Sequence, residues 1–435
     1  MVDRTHDPEI ARHGKLAPRS AARSALRLVG IAVCVLVLSA AGVAAYGVWD
    51  VARSVKPGVT LSKLGGGTQK DIPDVGALKG GVNLVLVGTD SREGLGGPYD
   101  NPADQAEGGA GHNDVTMLLH IAADHRSAAV VSFPRDMMTE LPDCSDPASG
   151  SGHFAQFNTA LSDGGLSCVV LAVSKLTGLD IPFGAVVNFA GVTALSDAVG
   201  GVTVCLASPM RDNRTHPALD LSAGEHTLVG AEAQSFLRSR HGVGDASDLS
   251  RISSQQVFLS ALARKIVNGG VLGDPVKLYA LAKAAVANIT PSDTLRNPTT
   301  LVQIALAVKN TGLENMVFLQ YPVVDDPDDP NRVVPDEAAA AAVGAALVAD
   351  RPLRLSGAPG RAAEPQQGST PAPGTSAPGT GAPATTGPTP GTPAPGSASS
   401  SPSAPSTPGS DGTLPDTVTG QTAAQQTCAK GRVED

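Results

Sequence analysis

From residue 82 onward, short apolar runs alternate with segments of helical spacing. The runs "VNLVLVG" (82–88), "VTMLLHI" (115–121), "SAAVVSF" (127–133), "FGAVVNF" (183–189) and "GVTVCL" (201–206) predict β-strands. Several are apolar on both faces, the pattern of strands buried between helical layers. Between and after them, "SCVVLAVSKLTG", "AGVTALSDAVG", "AEAQSFL", "SSQQVFLSALARKIV" and "PVKLYALAKAAVANI" repeat their apolar positions every three to four residues and predict helices. This order gives an α/β fold, an α-β-α sandwich around a mixed central sheet.

Ahead of this pattern, "LVGIAVCVLVLSAAGVAAYGVW" (28–49) carries no charge and is long enough to cross a hydrocarbon core. Six Lys/Arg precede it, and Asp50 follows. That bias puts the N-terminus in the cytoplasm and the bulk of the chain outside a cell membrane crossed once. A cleavable signal peptide is the alternative, although the run exceeds a usual signal core. Behind the body, near Ser356, the sequence turns to "GSTPAPGTSAPGTGAPATTGPTPGTPAPGSASS", which lacks the bulky apolar side chains a core requires. The expected organisation is a basic cytoplasmic tail (1–27), a transmembrane helix (28–49), a stalk (50–81), an extracytoplasmic domain (82–355), a disordered Pro/Ser/Thr/Gly linker (356–410) and a short tail (411–435) with Cys428.

Composition narrows the function. The 435 residues carry a net charge of −9, and aromatics are only 3%. Neither a basic footprint nor base-stacking residues are in supply, so nucleic acid is excluded as the partner. Setting aside the basic first 27 residues leaves about −12, so arginines in the outer part do not serve general basicity. Four of the five cysteines, Cys144, Cys168, Cys205 and Cys428, lie beyond the apolar span, an even number suited to two disulfides. Three connectivities are open. One of them closes a short loop with Cys144–Cys168 and leaves Cys205–Cys428.

Charged residues gather at the ends of the expected strands. Asp90 and Arg92 follow "VNLVLVG"; Asp114 opens the next strand; Arg135 and Asp136 follow "VVSFP", where proline ends the ladder. Ligands of open α/β sheets bind at such strand ends. Two carboxylates there, Asp90 and Asp114, suit Mg²⁺, which takes one or two carboxylates together with phosphate oxygens and water. In "FLRSRHGVGDASDLSRISSQQ" (236–256), Arg238 and Arg240 would point the same way from an extended segment. Asp248, Arg251 and Gln255 fall on one helix face, opposite Ile252, Val257, Phe258 and Leu259. Guanidinium forks in this number are what a clamp for a di-anion requires.

Taken in order, "NLVLVGTDSR", "NDVTMLLHIAAD", "VVSFPRDMMTELP", "FNTALSDGG", "VNFAGVTALSDAVGGVTVCL" and "LSAGEHTLVGAEAQSFLRSRHGVGDASDLSRISSQQ" closely resemble the LytR-CpsA-Psr family of bacterial envelope proteins, in its actinobacterial form. The resemblance spans about residues 82–268. It implies a membrane-anchored phosphotransferase that moves a glycopolymer from a polyprenyl pyrophosphate carrier to peptidoglycan through a phosphodiester bond. It places Asp90 and Asp114 on Mg²⁺ (or Mn²⁺), and Arg135, Arg238 and Arg240 on the pyrophosphate. Asp248, Arg251 and Gln255 fall on the family's late acidic, basic and amide positions. Asp90 is the expected proton acceptor, and Arg251 the expected catalytic arginine. The family usually has arginine two residues before the second aspartate, where this chain has His112; either His112 takes a weaker, pH-dependent part in binding the anion, or another arginine such as Arg92 compensates. A non-catalytic polyprenyl-phosphate-binding or regulatory envelope protein, and a lipid pyrophosphatase, are the competing functions.

Overall fold

A computed structural model describes residues 21–69, 81–89, 111–271, 274–366 and 412–433. The chain divides into two units after Arg53. The described part of the first is one helix, α1 (Ala21–Arg53), of which Ala25–Arg53 is long and apolar enough to cross a membrane. It overruns the expected span at both ends, because alanines and the charged residues at either end are good helix formers.

The second unit is built on a seven-stranded sheet. Its strands are β1 (Val82–Thr89), β2 (Asn113–Ile121), β3 (Ala128–Phe133), β6 (Phe183–Val187), β11 (Ile289–Pro291), β12 (Met316–Gln320) and β16 (Gly420–Thr422), in the order β11-β6-β1-β2-β3-β12-β16. β1 runs parallel to β6 and antiparallel to β2; β3 is antiparallel to β2 and parallel to β12, so the sheet is mixed. Successive residues of β1 enter different layers. Val85 and Val87 join one core with α2 (Ala160–Thr177) and α8 (Glu337–Val348), while Val82 and Leu84 join another with α7 (Pro298–Thr311). Both faces are thus covered, which is why β1 carries apolar residues on both its faces, Val85 and Val87 on one and Val82 and Leu84 on the other. This is the expected α-β-α sandwich. α2 is apolar along its length yet mostly buried, a core helix rather than a second span.

A four-stranded sheet stands beside it, with order β10-β7-β17-β15: β7 (Val202–Ser208), β10 (Gly224–Leu228), β15 (Ala363–Pro365) and β17 (Thr427–Lys430). It packs on α4 (Gly230–Arg238) and on α5 (Asp248–Asn268) through Phe236, Val257 and Phe258. α3 (Phe189–Ala198) packs against α6 (Pro275–Asn288). Three two-stranded ribbons complete the described fold. They are β4 (Met138–Pro142) with β5 (Gly152–Gln156), β8 (Met210–Asp212) with β9 (Leu219–Leu221), and β13 (Val323–Asp325) with β14 (Val333–Pro335).

Three expected boundaries move. Residues 54–69 are not a detached stalk: Leu61 is buried in the main core and Val59 N donates to Pro291 O at 2.9 Å. The strand expected to reach Phe189 stops at Val187, because Asn188 caps α3, its Oδ1 accepting from Gly191 N at 3.0 Å. The body runs past residue 355, since β15 pairs with β17, and residues 412–433 return to it as strands of both sheets. Residues 367–411, most of the expected linker, lie outside the described residues. Two disulfides join Cys144 to Cys168 and Cys205 to Cys428. Gly164 sits against the first, where a Cβ would come within 2.7 Å of Cys144 Cβ.

Candidate functional site

The start of β2 is fixed from within. Asn113 is buried, donates to Thr116 Oγ1 at 3.0 Å and Phe157 O at 3.2 Å, and accepts from Leu161 N at 3.1 Å. Its neighbour Asp114 is thereby held at the end of the sheet. β3 ends at the same edge, and after Pro134 the chain delivers Arg135, whose Nη1 donates to Asp114 Oδ1. The backbone N of Arg135 donates to Asp248 Oδ2 at 3.2 Å, tying the strand end to α5.

α5 starts where its sequence says it should. Ser247 is the N-cap, its Oγ accepting from Ser250 N at 3.2 Å, and Asp248 occupies the first turn, where the helix dipole favours an anion. One turn on, Arg251 Nη2 lies 2.5 Å from Asp248 Oδ1 and donates to the carbonyl of Asp114 at 2.8 Å. Asp248, Arg251 and Gln255 are all buried, so this polar face is interior and not solvated.

Asp136 collects the remaining cations. Its carboxylate is 3.3 Å from Arg240 Nη2, 3.4 Å from Arg332 Nη1 and 3.6 Å from Arg135 Nε, and it accepts from Gln156 Nε2 at 2.8 Å. Four guanidinium groups, of Arg135, Arg240, Arg251 and Arg332, thus meet three carboxylates, of Asp114, Asp136 and Asp248. Burial works against the charge on Arg135, but Asp114, then Asp136 and Asp248, hold its pKa above the ordinary value. Arg240 is pushed the other way, first by burial and then by the guanidinium of Arg135, against the pull of Asp248. The Nε–H groups of Arg135, Arg240 and Arg251 are buried and have no hydrogen-bond partner among the described residues. Arg135 Nε still faces the carboxylates of Asp136 and Asp248, at 3.6 and 3.9 Å, whereas an anion with several oxygens is the ligand chemistry that answers the donors of Arg240 and Arg251.

Of the residues singled out in the sequence, Asp114, Arg135, Arg240, Asp248 and Arg251 come together. Arg238 does not join them in an extended segment: it is the exposed last residue of α4, and Ser239 is the cap after it. Apolar packing of Phe236 carries the helix that far. Gln255 turns its amide to the end of α4, donating to Leu237 O at 2.9 Å. His112 stands just before β2, its carbonyl accepting from Asp114 N at 3.1 Å. Asp90 and Arg92 lie outside the described residues; the last described residue of β1, Thr89, pairs with Asn113. Sequence reasoning missed Arg332 and Gln156, and named Asp136 only as the residue after Arg135 at the strand end. Arg332 comes from β13–β14, far along the chain, and nothing in its spacing marks it.

Among the described residues no three His, Cys, Asp or Glu side chains form a metal cluster. Asp114 alone is a strand-end carboxylate of the kind Mg²⁺ uses with phosphate oxygens, and one of its oxygens already holds Arg135.

Residues 59–346 match the LytR_cpsA_psr family. The chain belongs to the LytR-CpsA-Psr family. It is 30% identical over 316 residues to the cell wall biosynthesis protein LcpA of Corynebacterium glutamicum, covering 67% of this chain and 58% of that protein, so it spans little more than half of that relative's length. It is 28% identical over 247 residues to the polyisoprenyl-teichoic acid–peptidoglycan teichoic acid transferase TagT of Bacillus subtilis, covering 55% of this chain and 70% of the relative. Protein gbs0355 of Streptococcus agalactiae shares the fold, with a TM-score of 0.50 at 18% identity, over 62% of this chain and 87% of that one. Cell wall biosynthesis and transfer to peptidoglycan are what the names of these LytR-CpsA-Psr relatives describe.

Proposed function

We propose that this chain is a membrane-anchored phosphotransferase that moves a glycopolymer from a polyprenyl pyrophosphate carrier to peptidoglycan. The observation that carries the reading is the meeting of Arg135, Arg240 and Arg251 at one end of the central sheet, with the buried Nε–H groups of Arg240 and Arg251 left without a hydrogen-bond partner among the described residues. TagT, whose name describes transfer of a polyisoprenyl-linked polymer to peptidoglycan, supports it. α1 is the anchor, and the arginine site works on the outer side of the membrane.

The chemistry is displacement at the phosphorus nearest the glycan. A peptidoglycan hydroxyl oxygen bonds to that phosphorus, the bridging P–O bond breaks, polyprenyl phosphate leaves, and the hydroxyl proton passes to a carboxylate. Arg135, fixed by Asp114, Asp136 and Asp248, and Arg251, fixed by Asp248 and the Asp114 carbonyl, meet the growing negative charge without rearranging. Arg240, kept close to two other cations, gains from an incoming anion. Mg²⁺ on Asp114 and Asp90 would supply further charge neutralisation at the phosphates. Asp90 is the proposed proton acceptor.

The test is incubation of the purified chain with Mg²⁺, a lipid-pyrophosphate glycan and peptidoglycan oligomers. Covalent transfer, lost in Arg251→Ala and in Asp114→Ala, supports the reading. Binding without turnover would assign a non-catalytic envelope role, and phosphate release without transfer a lipid pyrophosphatase.

A further inference from the structure

Residues 420–432 reach the arginine site from behind. Along α5, Gln256, Ser260 and Arg264 stand four residues apart and form one stripe. The C-terminal segment engages this stripe through the backbone carbonyl of Gln256 and the side chains of Ser260 and Arg264. Gln421 Nε2, fully buried, donates to Gln256 O at 3.0 Å and to Ser260 Oγ at 2.8 Å; Arg264 Nη1 donates to Ala423 O and Gln425 O, each at 2.8 Å. Further on, the backbone of the segment holds the loop that carries Arg240. Gly244 N donates to Lys430 O at 3.0 Å, and Arg432 N donates to Gly242 O at 2.7 Å. On its other side, Arg211 N donates to Arg432 O at 2.9 Å, beside Asp212, whose Oδ2 accepts from Ser239 Oγ at 2.6 Å. The two ends of the Arg240 loop are thus fastened to β8 and to the C-terminal strand, and its following helix is fastened to Gln421.

We infer that residues 420–432 are a positioning element for the anion site, which sets Arg240 and the first turns of α5 in their binding geometry. Among the described residues Arg240 makes one ion pair, its Nη2 donating to Asp136 Oδ2 at 3.3 Å, so its place depends on the loop backbone as well as on that contact. Neither Gln421 nor Arg432 touches substrate; they act through the backbone of residues 242–244 and through α5. The inference rests on the reading of Arg135, Arg240 and Arg251 as the pyrophosphate site.

A protease site inserted between residues 367 and 411 gives a cut chain in which Cys205–Cys428 is the remaining covalent tie to the segment. Binding of geranylgeranyl pyrophosphate is measured calorimetrically for cut and uncut protein, each oxidised and reduced, with circular dichroism following the fold. The expected result is a loss of roughly tenfold or more in affinity in the cut, reduced protein relative to the uncut, reduced protein. Gly431→Ala is the second variant, since a Cβ there would stand 2.4 Å from the carbonyl oxygens of Ser208 and Pro209 and lift the strand with the disulfide in place. Combination with Arg240→Ala separates positioning from general weakening. If the segment acts through Arg240, Gly431→Ala costs little further affinity in the Arg240→Ala background, whereas an unrelated loss of stability adds in full. Unchanged affinity in both the cut, reduced protein and Gly431→Ala, or full additivity, would overturn the inference. Undiminished binding in Arg251→Ala would instead sink the site itself.

Discussion

Arg251 Nη2 lies 2.5 Å from Asp248 Oδ1, one helical turn before it, with both side chains less than a tenth exposed. Such a pair is costly to break, because the partner left behind stays buried and charged. Arg251→Ala is expected to lower folding stability by about 3 kcal/mol and to cut transfer by roughly 100-fold or more. Asp248 keeps the Arg135 backbone N as a donor, so the protein still folds. Denaturant melts and initial rates on the two variants Arg251→Ala and Arg251→Lys check this; a near-normal rate for the alanine variant would be incompatible with its role at the phosphate.

Asp136 is surrounded by three guanidinium groups and one amide. Asp136→Asn keeps its shape but makes the cluster more positive and its arginines less fixed. Ground-state binding of a pyrophosphate is therefore expected to hold or tighten, while kcat falls about tenfold through lost orientation. Calorimetric Kd and steady-state kcat, measured on one preparation, separate the two effects; a weaker Kd with normal kcat contradicts the assignment.

Arg332 reaches the cluster from the β13–β14 ribbon and remains a third exposed, at 32%. Its removal leaves Asp136 still paired with Arg135 and Arg240 and hydrogen-bonded by Gln156. Arg332→Ala should change stability by less than about 1 kcal/mol and raise KM for the lipid-linked donor several-fold. A thermal melt alongside a donor titration is sufficient, and an unaltered KM would remove Arg332 from the site.

Asp245 precedes α5 on the Arg240 loop. Burial alone would raise its carboxyl pKa, but hydrogen bonds from Ser247 and Ser250 outweigh it and bring the value down to about 2. A carboxyl depressed in the folded state stabilises fully above its unfolded pKa of about 3.9 and loses that contribution as pH falls through the folded value. The stability gap between the native chain and Asp245→Asn should hold at pH 5 to 7 and close between about pH 4 and pH 2. Urea midpoints across that range read it directly, and a gap that widens on acidification has the wrong sign.

His112 occupies the position before β2 where the family usually carries arginine. His112→Arg puts an always-charged, forked donor at the edge of the cluster. Pyrophosphate affinity is expected to rise about three- to tenfold at pH 7.5, with a steeper dependence on salt. Equal affinities at low ionic strength would show that this position does not face the anion.

The fold was legible because its signals are local. The apolar-rich runs of β1 to β3 are covered on both faces, and α5 begins at a serine cap followed by aspartate. Arg135, Asp114, Asp248 and Arg251 were legible for the same reason, standing at strand ends or on one turn of helix. Arg238 was misplaced because alternation in "FLRSR" looks like a strand, while Phe236 packing makes it the end of α4. Arg332, Gln156 and the bracing role of Gln421 could not be read. Each depends on tertiary pairing between segments far apart in the chain, and no periodicity records that.

The four-stranded sheet has a history written into its order. β17 lies between β7 and β15, so the edges of both those strands that β17 covers are unpaired until residues 427–430 arrive, long after β7 has been made. An open strand edge will accept any extended chain. During that interval the nascent protein is vulnerable to mispairing and aggregation, and late closure of a gap spanning more than two hundred residues is slow. A chain shortened before residue 427 would carry that exposed edge permanently, so its expected fate is proteolytic clearance and not accumulation as a folded protein.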